Sequence, residues 1–312
     1  MISRRNIRVK VMQTLYTLET MEPEEQEKNK KLGSTILNEK LNRSLDLFVI
    51  SILYTIRVAQ YSEMDAHQRA SKYLPTKEDL SVNTKIAGNE FLWDVLSNQT
   101  FEEKVKTSKL DHYVDEEWIK KIYISLAKTP EYQNYIAENS RSPKSEKAII
   151  KFLWEKQILD NEKMMEHFAE ELPGWEDDNE MTLMLMDNFF KSNSKINYLS
   201  LISTEKREYA HLLMQSVLDK KEYCMELVEP RLINWDAERV ALVDLLLLRM
   251  GVCEFLYFPT IPTKVTINEY IELAKLYSTP QSGHFINGVL DNILKDLEKE
   301  NKIRKQDRLR KS

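Results

Sequence analysis

Six glycines and nine prolines are all that punctuate 312 residues. So few turn-formers cannot supply the frequent reversals of a sheet protein this long, so the chain is expected to be all-α, with long helices. A hydrophobic fraction of 42% and a charged fraction of 30% suit a soluble globular chain that buries a generous core. The longest apolar run, 240–248, is broken by Asp244 and too short for a bilayer, and the start lacks the apolar stretch of a signal peptide. A cytoplasmic protein without membrane contact is expected.

Apolar spacing outlines the helices. Ser3 is a suitable cap for a first helix in which Ile7, Val11, Leu15 and Leu18 recur at helical intervals, ending between Glu19 and Pro23. The charge-dense stretch 22–31, followed by Gly33, reads as a solvated connector. A second helix is expected over about 34–73, burying Leu41, Leu45, Phe48, Ile52 and 54–56, with Leu74-Pro75 closing it. Further helices are expected at 205–218 and 222–232, from Trp235-Asp236-Ala237-Glu238 to about Tyr257, and at 263–277 and 283–299. The one reaching Tyr257 is apolar on almost every face and so belongs in the middle of a bundle. Three regions follow: N-terminal helices over 1–85, a helical region over 86–203, and a C-terminal bundle with a basic tail over 204–312.

The middle region carries a weak repeat of about sixty residues. Phe91-Leu92-Trp93 recurs as Phe152-Leu153-Trp154, Leu110 and Tyr113 fall near where Leu172 and Trp175 do, and Met165 to Trp175 resembles Met225 to Trp235. A true repeat would stack helical hairpins, each burying one aromatic against its neighbour; chance alignment in a helical protein is the alternative.

Charge is placed unevenly. The net charge of -5 argues against coating a polyanion with the whole surface, so any nucleic-acid contact must be local. Residues 1–18 hold Arg4, Arg5, Arg8 and Lys10 with no acid, and the stretch after Asn301 holds Lys302, Arg304, Lys305, Arg308, Arg310 and Lys311 against Asp307. Cys224 and Cys253 stand apart from any Cys or His cluster and read as reduced core thiols, with no metal site. Glu208 and His211 form a single ExxH pair where a di-iron bundle needs two, and the P-loop, dinucleotide and HExxH patterns are missing. Neither an enzyme nor a bound cofactor is expected.

Two distant blocks resemble one family. Arg4-Arg5, Arg8, Gln13 and Leu15-Tyr16 at the start, then Asp244, Arg249, Glu254, Pro262, Lys264-Val265, Ile267-Asn268-Glu269, 271–275, Ser282, Phe285 and Asn287-Gly288-Val289-Leu290-Asp291, are similar to the two ends of the NusB family of transcription antitermination factors. The resemblance covers about 3–19 and 204–298, and about 20–203 stand where most members have a much shorter stretch. It implies a NusB-like helical bundle with a large helical insertion. The implied protein is not an enzyme and binds single-stranded boxA RNA. It does so together with NusE, a small-subunit ribosomal protein, within an RNA polymerase antitermination complex. Gln281 and Gly283-His284 depart from the family pattern. A helical protein–protein scaffold that shares the fold but not the RNA binding is the alternative.

The RNA-binding residues expected on these grounds are Arg4, Arg5, Arg8, Lys10, Tyr16, Asp244, Lys264, Gln281 and Phe285. Arg5 and Arg8 lie three apart and Arg4 and Arg8 four apart, so each pair projects from neighbouring positions on one helix, whose free N–H groups favour an anion. Three or four phosphate contacts would give a salt slope of about -2 to -3. Phe285 suits the core by spacing and a stacked base by resemblance. Tyr16 suits packing with its phenol tip near RNA, Lys264 serves phosphate or solvent, and Asp244 serves an ion pair or the partner surface. Asn268 and Asn287 are expected to hydrogen-bond backbone at helix junctions.

Overall fold

The computed structural model describes residues 2–21, 29–191, 196–232 and 240–306, with the side chains of 29–31 left out. Among the described residues every regular element is helical. In chain order the α-helices are α1 (Arg4–Thr20), α2 (Asn29–Ala70), α3 (Lys77–Leu80), α4 (Glu90–Leu96), α5 (Gln99–Thr107), α6 (Glu116–Leu126), α7 (Pro130–Ala137), α8 (Pro143–Phe152), α9 (Glu162–Glu171), α10 (Trp175–Lys191), α11 (Thr204–Asp219), α12 (Lys221–Val228), α13 (Leu242–Tyr257), α14 (Thr263–Tyr277) and α15 (Ser282–Lys299). A π-helix continues α8 over Leu153–Leu159. None is long and apolar enough to cross a membrane.

The chain forms two compact units, residues 42–201 and residues 2–41 with 202–312. α2 gives its first residues to one unit and the rest to the other.

In the unit 42–201, α2 buries Leu45, Phe48, Ile52, Tyr54 and Ile56 as the sequence expected. Phe168 packs edge-on against Tyr54 and Trp175, with ring centroids 5.2 and 4.8 Å apart. The repeat does not hold as a pattern of buried aromatics. Trp154 is 2% exposed but Trp93 is 57% exposed, because the short match aligns their sequence and not the face they present. The third copy's Trp235 lies outside the described residues, and the rest of that copy belongs to the other unit.

The other unit is built around α13. Leu246, Leu247, Leu248, Met250, Val252, Cys253 and Phe255 are all buried, and α1, α11, α12, α14 and α15 pack around them. At about 1.5–3 kcal/mol per buried large side chain, this helix contributes strongly to the cohesion of the unit. At Gly251 an added Cβ would meet the Leu290 methyls at 2.9 and 3.0 Å, so glycine lets α15 press against α13. α15 buries Phe285, Ile286, Val289, Leu290, Ile293, Leu294 and Leu297, the stripe read from the sequence.

Local expectations meet different outcomes. The described α13 begins at Leu242, and the expected opening at Trp235-Asp236-Ala237-Glu238 lies outside the described residues. Gly33 sits inside α2 rather than in a connector; its missing side chain admits Leu18, 3.0 Å from where a Cβ would be, and Met214 at 3.3 Å. Asn268 and Asn287 are exposed and make no hydrogen bond to backbone among the described residues. Arg249 pairs with Glu19 at 2.7 Å and donates to the Val217 carbonyl at 3.2 Å, the structural ion pair that an apolar helix centre demands. Cys224 and Cys253 are buried free thiols with sulfurs 3.6 Å apart.

Candidate nucleic-acid interface

The basic start forms a helix because Ser3, in extended conformation, accepts a hydrogen bond from the Asn6 N–H and caps α1. Apolar positions then turn α1 onto α11 and α13. This docking sets the fate of each cation. Arg5 lies on the solvent side, 48% exposed, and grips Glu269 with two bonds of 3.1 Å. Arg4, 36% exposed, pairs with Glu205 at 2.9 Å and stands 5.7 Å from the Tyr209 ring.

Arg8 turns the other way. It is 2% exposed, bonds both oxygens of the fully buried Glu254 at 2.8 and 3.2 Å, and reaches Glu269 at 3.3 Å. Tyr209 and Tyr270 flank its guanidinium at 5.9 and 5.8 Å. Burial works against its charge, but Tyr209, Glu254 and Tyr270 outweigh that and hold its pKa above the usual arginine value. Glu254 also accepts from the Tyr209 hydroxyl and, at 2.8 Å, from Thr266. Burial, then the carboxylate of Glu254, pushes the Tyr209 phenol well above its ordinary range. The three-residue spacing from Arg5 to Arg8 therefore does not put both on the surface. The helix rotates Arg8 by about 300°, enough to move it into the core.

Between α1 and the turn before α14 lies a cleft of about 470 Å³, lined by Arg4, Arg5, Arg8, Ile261, Pro262 and Glu269 among others. Lys264 stands beside it on the first turn of α14, exposed and without an ion pair among the described residues. Tyr16, 43% exposed, lies eleven residues beyond Arg5, three helical turns and about 16 Å along the same side of α1. Lys10, expected as a phosphate contact, is 4% exposed and bonds Gln13 at 3.3 Å.

The remaining expected residues cluster at the start of α15. Asp244 is buried and accepts the Ser282 hydroxyl at 2.7 Å, which ties the start of α13 to that of α15; its other oxygen has no hydrogen-bond partner among the described residues. Gln281 is exposed. Phe285, favoured for stacking by the resemblance, is only 9% exposed, so its ring serves the core. The sequence reading overlooked the counter-charges Glu205, Glu254 and Glu269. A glutamate inside the otherwise apolar α13 was the available signal, because a carboxylate placed there needs a buried cation.

A family model described as the NusB family matches residues 176–295. The protein named transcription antitermination protein NusB of Salinibacter ruber is 43% identical over 102 residues, a match covering 33% of this chain and 64% of that relative. The proteins of the same name from Listeria monocytogenes serotype 4a and Listeria innocua are each 42% identical over 94 residues, covering 30% of this chain and 73% of theirs. This chain thus spans just under two thirds of the Salinibacter relative and more of the Listeria ones. No solved structure matches.

Proposed function

The chain belongs to the NusB family, and from that premise we propose that it is a non-catalytic transcription antitermination factor that binds boxA-type single-stranded RNA together with NusE. The observation that carries this reading is the arginine cleft. Two half-exposed arginines line it, with the buried Arg8–Glu254 pair beneath them, and Lys264, on the first turn of α14, has no ion pair among the described residues. Arg4, Arg5 and Lys264 take phosphates, Tyr16 offers a ring further along α1, and Arg8 acts as a positioning residue. Asp244 and Gln281 lie at the starts of α13 and α15, where NusE and the polymerase complex are the proposed partners. The pairing of Arg4 and Arg5 with carboxylates favours the alternative, a NusB-like scaffold that does not bind RNA. Such exposed pairs are worth only about 0–1 kcal/mol, and a phosphate can displace them.

Fluorescence anisotropy with boxA RNA, with and without NusE, tests this. Three phosphate contacts predict a slope of log affinity against log salt of about -2. Arg4→Ala/Arg5→Ala should flatten it by roughly 1.4. Failure of the wild-type chain to bind even with NusE would leave the scaffold reading standing.

A further inference from the structure

A second cleft, of about 830 Å³, lies in the same unit, where two tyrosines and three cations line a groove that has no part in the sites above. Tyr223 stands on α12 and Tyr257 ends α13, both half-buried. The cations are Lys220, Lys302 and Arg304; Lys220 and Arg304 are exposed and have no ion pair among the described residues, while Lys302 pairs with Glu300 at 2.6 Å.

The groove is a built feature. Asn301, at φ 54°, takes the left-handed conformation after α15, and the Lys302 N–H bonds back to the Leu297 carbonyl at 2.9 Å, a helix-ending motif that reverses the chain. The segment 302–306 is then strapped across the bundle. Lys302 reaches the Tyr223 hydroxyl at 3.4 Å with its ammonium 5.8 Å from that ring. Lys305 donates to the Glu254 and Phe258 carbonyls at 2.7 and 2.9 Å, and the Gln306 N–H to Pro259 at 3.0 Å. Lys305 thereby caps the carboxyl end of α13, where a cation is favoured.

Aromatic faces edged by cations that track a backbone are the chemistry by which single-stranded nucleic acid is held without reading its sequence. The two clefts are also neighbours. Tyr257 lines this groove and Thr260 lines the arginine cleft, so three residues of chain, at most about 11 Å, separate them.

We propose that the tyrosine groove is a second site for the same RNA strand, taking nucleotides that run past the arginine cleft and stacking their bases on Tyr257 and Tyr223. This rests on the RNA-binding reading above. The test titrates wild type and variants with two RNAs, the boxA element alone and the element extended by unpaired nucleotides on both sides. Wild type should bind the extended RNA more tightly and with a steeper salt slope. Lys220→Gln/Arg304→Gln, which changes only exposed side chains, should flatten the slope for the extended RNA by about 1.4 and leave that for the short one unchanged. Tyr257→Leu should weaken binding to the extended RNA by about 5- to 150-fold. Photo-crosslinking of a thiouridine-substituted extension should mark the peptides holding Tyr223 or Tyr257. Binding of both RNAs by these variants at wild-type strength, while Arg4→Ala/Arg5→Ala weakens binding to both, overturns the second site alone. Absence of binding by the wild-type chain overturns the parent reading and this one with it.

Discussion

Replacing Arg8 by alanine should unfold part of this protein before it says anything about RNA. The guanidinium is 2% exposed and is the cation that meets both oxygens of Glu254, itself 0% exposed. Removing it strands a carboxylate in the core with only the hydroxyls of Tyr209 and Thr266, and a distant one from Tyr270, for company. Breaking a buried pair from one side costs about 3–5 kcal/mol. With a denaturant slope of about 2 kcal/mol/M, the urea midpoint of this unit falls by roughly 1.5–2.5 M. Arg5→Ala removes a pair that is half in solvent and should cost under about 1 kcal/mol. Urea denaturation followed by far-UV circular dichroism, with hydrogen exchange of the α13 amides to assign the transition to this unit, separates the two. Arg8→Ala/Glu254→Ala should recover part of the loss, because the stranded charge goes too. An Arg8→Ala protein as stable as wild type within 1 kcal/mol, yet unable to bind RNA, would refute the reasoning and make Arg8 a surface contact.

Further expectations concern neighbouring groups. Glu205→Gln frees Arg4 from its 2.9 Å partner and should tighten RNA binding by up to about fivefold; an unchanged or weaker affinity by anisotropy counts against Glu205 as a competitor for phosphate. Burial raises the pKa of Glu19, but hydrogen bonds from Lys221 and Arg249 outweigh it and hold the carboxyl below its ordinary value. A folded value below the unfolded one makes its contribution present above about pH 4.3 and lost as pH falls through the folded value. The stability gap between wild type and Glu19→Gln should therefore close on acidification, and a gap constant down to pH 2 would contradict this. Two helical glycines should respond in opposite directions in thermal unfolding. Gly288→Ala has open space around its Cβ and should gain about 0.5–1 kcal/mol, whereas Gly251→Ala meets Leu290 at 2.9 Å and should lose about 1–3 kcal/mol. Equal responses would show that the packing at Gly251 yields freely.

The sequence by itself determined what depends on local pattern. Scarce glycine and proline meant helices, Ser3 fixed where the first begins, and apolar spacing placed 263–277 as it stands and 283–299 to within one residue. The burial of α13 on every side followed from its composition, and the resemblance carried the family. Only the tertiary structure decided which polar groups face inward, because that depends on the rotation of one helix against others distant in the chain. Arg8 lies 246 residues from Glu254, and no local pattern reveals that the two meet. The same holds for Phe285, whose place in the apolar stripe proved stronger than its expected role in stacking. It holds also for Trp93 and Trp154, alike in sequence context and opposite in exposure. Periodicity reports which residues share a face; what covers that face is settled by packing between segments that the sequence keeps apart.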